Sequence, residues 1–259
     1  MELKDKKVVL TGASSGIGFE LLKQLLNEGS EVVACARHIE NIKVESDQLH
    51  LKKCDVSKKE ELDELFDYTI KTMGDIDLFI SNAGFAYYEK IDKADYEHIN
   101  KIFATNVYAP IYCAEKMKEI KGNKTFNVVI TSSAMAELSL PGYALYSGTK
   151  AGIKGFADGY RYELNDNQHM QVVYPVATKT NFFKAASDNT PVPWPSQTSE
   201  IVARKIVSGI KKDKDHIYPS LTFRITSIFN RVFPFILKTY AKVNGYTFKK
   251  WLDNSGKKD

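Results

Sequence analysis

The chain has 259 residues, 43% of them apolar and 26% charged, enough for one large α/β core or two small ones. Its three cysteines, Cys35, Cys54 and Cys113, show no CxxC spacing, which argues against a disulfide framework or a zinc site. The net charge of +4 is uneven: Glu200 to Asp259 holds 13 Lys/Arg against 5 Asp/Glu, a local basic excess rather than the mark of a nucleic-acid-binding domain.

No uninterrupted apolar run reaches the length of about 18 residues that a spanning helix needs. The opening MELKDKKVVLTG runs straight into a strand-like segment without a signal-type apolar core. The expected setting is cytoplasmic and reducing.

Lys7 to Thr11 is a β-branched apolar run and reads as a buried parallel strand. The turn Thr11-Gly12-Ala13-Ser14-Ser15-Gly16-Ile17-Gly18 follows, then FELLKQLLNEG with apolar residues at helical spacing. Glycines between a first strand and a first helix let backbone N–H groups approach a pyrophosphate at the helix N-terminus. Glu31 to Ala36 is the second strand. It ends in Arg37 where an acidic residue would hold ribose hydroxyls. An arginine there suits a 2′-phosphate, so NADP(H) is preferred and NAD(H) is the alternative.

Leu49 to Lys53 is the third strand, followed by Asp55, Val56 and Ser57. Ser57 with Glu60 reads as a capping box that opens a helix running to Met73. Asp55 either bonds an adenine amino group or supports its loop. Asp77 to Ser81 is the fourth strand and ends in Asn82-Ala83-Gly84, a small-residue turn where open sheets bind ligands. Asp95 to Lys121 reads as one long helix distorted at Pro110, with Asn106 inside it calling for a hydrogen-bonding reason. Phe126 to Thr131 is the fifth strand, ending in Ser132-Ser133. The next helix carries Tyr146 and Lys150, four residues apart and therefore on one face. An ammonium beside a phenol is expected to lower the phenol's pKa toward a useful range. Met170 to Tyr174 is the sixth strand. The alternation of strands and helices predicts a doubly wound parallel sheet with helices on both faces.

TGASSGIG at 11–18, NAG at 82–84, Asn106, Ser133 and YSGTK at 146–150 stand in one order, with Ser133 thirteen residues before Tyr146. In these motifs, over about residues 5–190, the chain resembles the short-chain dehydrogenase/reductase family. The resemblance implies a single Rossmann-fold domain over 1–259, a small-molecule carbonyl or alcohol substrate, and a homo-oligomer, dimer or tetramer. It implies Tyr146 as general acid for carbonyl reduction and base for alcohol oxidation. It also implies Lys150 tuning Tyr146 and holding the nicotinamide ribose, Ser133 on the substrate oxygen, and Asn106 positioning a water in a proton relay. By the same resemblance Gly12, Ser14, Ser15, Gly16, Ile17 and Gly18 line the pyrophosphate turn. Asp55, Val56, Asn82, Ala83 and Gly84 flank the adenosine side of the cofactor, and Thr180 contacts it. Pro175-Val176-Ala177 departs from the Pro-Gly that the family often has there, which puts the local turn in question.

Residues 182–198 fall where the family keeps a substrate-covering loop. Thr198 to Ile210 reads as a helix and His216 to Tyr218 as a last strand. In the 221–252 extension, Leu221, Ile225, Ile228, Val232, Ile236 and Val243 fall on one helical arc flanked by Arg224, Arg231, Lys238 and Lys242, with Pro234 kinking or splitting it. Packing on the chain's own core or as a lid, an oligomer contact, and peripheral membrane contact through 221–243 are the three readings. Phe85, Tyr87, Tyr88, Leu138, Leu140, Phe182, Phe183 and Trp194 are expected to rim an apolar or amphiphilic substrate. The expected activity is interconversion of a carbonyl and an alcohol by hydride transfer; a cofactor-binding regulatory or scaffold protein without turnover is the alternative.

Overall fold

A computed structural model describes residues 1–255. The strands of its main sheet are β1 (Lys7–Thr11), β2 (Glu31–Ala36), β3 (Leu49–Lys53), β4 (Leu78–Ser81), β5 (Phe126–Thr131), β6 (Gln168–Val173) and β9 (His216–Ile217). All seven run parallel, in the order β3-β2-β1-β4-β5-β6-β9. A separate two-residue pair joins β7 (Thr178–Lys179) to β8 (Gln197–Thr198). The central strands are β-branched and buried on both faces, as helices on either side of a parallel sheet require.

The helices between these strands sort onto the two faces by their apolar rows. α1 (Gly16–Asn27) and α7 (Ser199–Lys211) cover one face, where Leu21, Leu22, Leu25, Val202 and Ile206 are fully buried. α2 (Lys59–Met73), α4 (Ala109–Lys121) and α5 (Ala144–Tyr160) cover the other, through Leu65, Met117, Ile153 and Ala157. Burying one such side chain contributes about 1.5–3 kcal/mol. Chain order reverses between β1 and β4, so their carboxyl ends open a crevice, the usual ligand site of open α/β sheets.

Two expectations about helices are corrected. Residues 96–121 form the expected long helical stretch, but its distortion does not lie at Pro110. α3 (Tyr96–Phe103) gives way to a π-helical turn at Ala104–Tyr108, and α4 then starts with Pro110 in its first turn. The distortion lies one turn earlier than the proline, around Asn106. Nor is there a capping box at Ser57. α2 starts at Lys59 after Lys58 with no side-chain cap, because the Ser57 hydroxyl donates to Asp55 Oδ1 at 2.8 Å.

After α6 (Phe182–Ala186) and β9, the chain ends in α8 (Leu221–Val232) and α9 (Phe235–Ser255), separated at Pro234. α9 packs on the chain itself. Phe248 and Trp251 meet Tyr88 edge-on, the Tyr240 hydroxyl donates to the Trp194 carbonyl at 2.6 Å, and Trp251 Nε1 donates to the Asp188 carbonyl at 3.1 Å. Own-core packing therefore holds for one face of α9. It does not hold for the apolar row of α8, which is exposed.

Candidate active site

A cavity of ≈ 370 Å³ opens over the ends of β1, β4 and β5. Its lining includes every residue marked from the sequence as a site residue except Asn106.

At the end of the cavity above β1, the turn after β1 folds back on the start of α1. A Cβ on Gly18 would lie 2.1 Å from the Gly12 carbonyl oxygen, and one on Gly12 would lie 2.8 Å from the Ala83 backbone. Only bare backbone permits that approach. Ser15 precedes α1 without a side-chain cap, and the first turn carries no acidic residue. The first N–H groups of α1, beside Ser14, Gly16 and Ile17, are left for an anion. Thr180 closes over this turn, its methyl 3.0 Å from where a Gly16 Cβ would sit. The segment from Pro175 reaches this position without the glycine its family pattern often has: the Pro175 carbonyl accepts from Ala134 N at 2.8 Å and the Ala177 carbonyl from Gln197 N at 2.8 Å. The residues present thus fit a dinucleotide pyrophosphate. Gly18→Ala is expected to destabilise the fold by about 1–3 kcal/mol, read by chemical unfolding, and to weaken NADPH binding in the same titration series.

Arg37 and Val56 line the cavity beyond the ends of β2 and β3. Arg37 is exposed and makes no ion pair among the described residues, so its guanidinium is available to a ligand. Asp55 supports its loop: Oδ1 accepts from Ser57 N at 3.1 Å as well as from the Ser57 hydroxyl, while Asp55 N donates to Glu61 Oε2 at 2.7 Å.

Asn82 ties three strand ends together. Its amide donates to the Thr11 carbonyl at 3.2 Å and the Gly12 carbonyl at 3.4 Å, and its Oδ1 accepts from the Thr131 hydroxyl at 3.3 Å. The Thr11 hydroxyl receives both Asn82 N and Ala83 N at 3.0 Å. Asn106 acts as a similar clamp in the adjacent layer. Its side chain accepts from Phe85 N at 3.1 Å and donates to the Phe85 carbonyl at 2.8 Å and to Thr149 Oγ1 at 3.2 Å. It fastens the segment after Gly84 to α5, which explains a buried amide inside a helical run. The side-chain amide is committed to these partners.

Ser133, Tyr146 and Lys150 meet at the other end. The Ser133 hydroxyl accepts from Met135 N at 3.1 Å, starting a short 3₁₀ turn. Tyr146 is buried, edge-on to Tyr143 and Phe182 with ring centroids 6.3 and 5.5 Å away. Lys150 Nζ donates to the Thr131 carbonyl at 2.9 Å and lies 5.5 Å from the Tyr146 ring centroid. Burial pushes the Tyr146 phenol up to about 12, with a hydrogen bond to Ser133 pulling the other way. Burial likewise pushes the Lys150 ammonium down to about 8. The lowering expected from Lys150 does not set the Tyr146 phenol: burial raises it, and the hydrogen bond to Ser133 is what lowers it.

Phe85, Tyr87, Tyr88, Leu138, Leu140, Phe182 and Phe183 gather around Tyr146 as expected. Trp194 does not; it is 81% exposed and presents its carbonyl to α9 instead. The sequence reading missed Thr11, Thr131 and Tyr143. Thr11 and Thr131 end β1 and β5, and that strand-end position was the available signal.

The sequence pattern of the short chain dehydrogenase family matches residues 6–191. An uncharacterised oxidoreductase of Staphylococcus saprophyticus is 30% identical over 195 residues, 72% of this chain and 79% of that protein. The NADPH-dependent 1-acyldihydroxyacetone phosphate reductase of Saccharomyces cerevisiae is 31% identical over 173 residues, 63% of this chain and 58% of that protein. Among solved structures, a short chain dehydrogenase from Burkholderia cenocepacia in complex with NADP superposes with a TM-score of 0.76 at 20% identity, covering 89% of this chain and 94% of that one. One from Burkholderia phymatum in complex with NAD gives the same TM-score and coverage at 18% identity. With a sheet of this topology and a family match over more than half its length, the chain belongs to the short chain dehydrogenases, α/β oxidoreductases of Rossmann type.

Proposed function

We propose that this protein is an NADP(H)-dependent reductase of apolar or amphiphilic carbonyl compounds, reversible toward the alcohol. The observation that carries this is the meeting of Ser133, Tyr146 and Lys150 at the apolar end of a cavity whose other end is a glycine turn with Arg37 beside it. A bound nicotinamide supplies or accepts the hydride. As charge develops on the carbonyl oxygen, the Ser133 hydroxyl donates to it and the Tyr146 phenol gives up its proton. Burial keeps the phenol protonated at neutral pH, the form that gives a proton to a carbonyl oxygen. Lys150, hung from the Thr131 carbonyl, presents a positive charge beneath the Tyr146 ring that stabilises the phenolate formed. Asn106 positions a water that refills Tyr146 through Lys150. Residues 182–198 cover the substrate, with Phe182 and Phe183 against its apolar portion. In the other direction Tyr146 takes the alcohol proton.

Arg37 supports NADP over NAD, and the yeast relative is named as an NADPH-dependent 1-acyldihydroxyacetone phosphate reductase. Self-association belongs to the same reading: Gly148, Gly152, Gly155 and Gly159 form an exposed row along α5 with open space over each, where a second copy's helix can approach closely.

The test is NADPH oxidation against a panel of medium- and long-chain aldehydes and ketones, with dissociation constants for NADPH and NADH. Arg37→Ala is expected to weaken NADPH binding by roughly 10–100-fold, the range of a lost charge-assisted hydrogen bond, and to leave NADH binding nearly unchanged. Tighter NADH binding by the wild type overturns the cofactor assignment. Binding without turnover of any carbonyl supports the scaffold alternative.

A further inference from the structure

α8 is built inside out. Phe223 and Ser227 are buried and Thr226 and Asn230 lie beside them on the inner side, so a largely polar face meets the protein. Leu221, Ile225, Ile228 and Val232, spaced by four, three and four, form the opposite face. Leu221 is 67%, Ile228 54% and Val232 71% exposed. The row continues into the corner around Pro234, where Phe233 and Phe235 pack edge-on to each other in the open. A soluble helix places its apolar row inward, and single exposed apolar residues are common; a continuous outward row of this length is not.

The charges around this row have one sign. Arg224 and Arg231, seven residues apart, run along one flank, and Lys238, Lys242, Lys249 and Lys250 lie along α9. From His216 to Leu252 there is no Asp or Glu, and none of these six cations makes an ion pair among the described residues. A second copy docked symmetrically would set two such basic flanks against each other with no carboxylate to answer them. A surface with an apolar interior and anionic headgroups answers both features.

We propose that the outer row of α8, the Phe233–Phe235 corner and the flanking cations dock the protein on an anionic lipid bilayer. The contact is peripheral: among the described residues no helix is long and apolar enough to cross a membrane. α8 is held in this orientation by Glu137, whose carboxylate accepts from the Ser227 hydroxyl and, at 2.7 Å, from the Tyr218 hydroxyl. The inner face of α9 meanwhile packs Tyr240, Ala241, Phe248 and Trp251 into the aromatic cluster that holds Tyr146. The docking face and the roof over the substrate end thus belong to one helical hairpin, which brings the site to where amphiphiles partition. The contact is independent of the cofactor and substrate reading, so NADPH turnover and vesicle binding fail separately.

The test is flotation of the full chain with vesicles of phosphatidylcholine alone and with about 30% phosphatidylglycerol, at low salt and at about 0.5 M salt. The expected result is binding to the anionic vesicles only, weakened by salt. Arg224→Gln with Arg231→Gln should weaken partitioning about 30-fold, roughly fivefold for each basic group. Ile225→Asp with Ile228→Asp should reduce it by at least about tenfold. Melting temperature and NADPH turnover in detergent-free buffer should stay near wild type in both. No flotation with anionic vesicles, or flotation unchanged in both variants, overturns the proposal. So does a loss of oligomer mass by light scattering in the isoleucine variant with vesicle binding intact, which would assign the row to a second copy.

Discussion

Tyr146→Phe is expected to lower turnover by about 10²–10⁴-fold, the range over which a positioned acid acts, while NADPH affinity changes by less than about twofold. In free energy that is about 3–5.5 kcal/mol of lost transition-state stabilisation. The substitution is clean because the ring stays. Its edge contacts with Tyr143 and Phe182 are apolar, and the lost hydroxyl takes with it only the bond to Ser133. The neighbouring Ser133 hydroxyl retains Met135 N as a donor, so no backbone group is orphaned. Steady-state kinetics with a reducible aldehyde, beside a fluorescence titration of NADPH, separates chemistry from binding. Near-normal turnover removes Tyr146 as the acid. A fall in turnover matched by a fall in cofactor affinity would mean that the side chain holds the nucleotide instead.

The sheet was legible because its strands are short β-branched runs buried on both faces, a pattern that needs no tertiary information. The site was legible because its residues stand at strand ends and in the first turn of a helix, where a doubly wound sheet brings separate segments together. The illegible features are those fixed by contacts distant in sequence. The π-helical turn at Asn106 owes its place to Phe85 and Thr149, 21 and 43 residues away. The Ser57 capping box had the right residues at the right spacing, but Asp55, two residues before, claims the hydroxyl. Tyr146 and Lys150 were read as a pair acting on each other. Their depth makes desolvation the larger effect, and depth is not a property of spacing.

The C-terminal hairpin shows the same limit at larger scale. One helical arc through Leu221 and Val243 is an artefact of continuing the period across Pro234. The break re-phases the second helix, so that Val243 lies on the outer side of α9 and Leu237, not Ile236, is buried. The apolar row of α8 was correct as a row. Which way it faced depended on Glu137, in the turn after β5, holding Ser227 inward.

Lys150→Met is expected to cut turnover by about 100-fold or more, as the loss of the charge beneath Tyr146 removes the group that stabilises its phenolate. It should also change how stability depends on pH. The Lys150 ammonium has a folded-state pKa near 8 against 10.5 for an ordinary lysine. At pH 7 both states are protonated, and folding carries the full cost of burying the charge, about 3 kcal/mol from the size of the shift. Between about pH 8 and 10.5 the unfolded chain still holds the proton that the folded protein has released, so stability rises with pH there. From pH 7 to pH 10 the wild type should therefore gain about 2.5 kcal/mol relative to Lys150→Met. Raised tyrosine pKa values, such as those of Tyr88 and Tyr160, destabilise the fold above their ordinary value as the unfolded chain ionises, but they act equally on both proteins. The absolute difference at pH 7 is smaller than the burial cost alone, because methionine leaves the Thr131 carbonyl without its donor, at about 1–3 kcal/mol. Urea unfolding of both proteins at each pH isolates the titrating contribution. A difference that stays flat across this range shows that Lys150 is not held as a buried, strained charge. A difference that shifts with pH in the wild type's favour, alongside lost turnover in the variant, shows the fold sacrificing stability to keep a charge beneath the phenol.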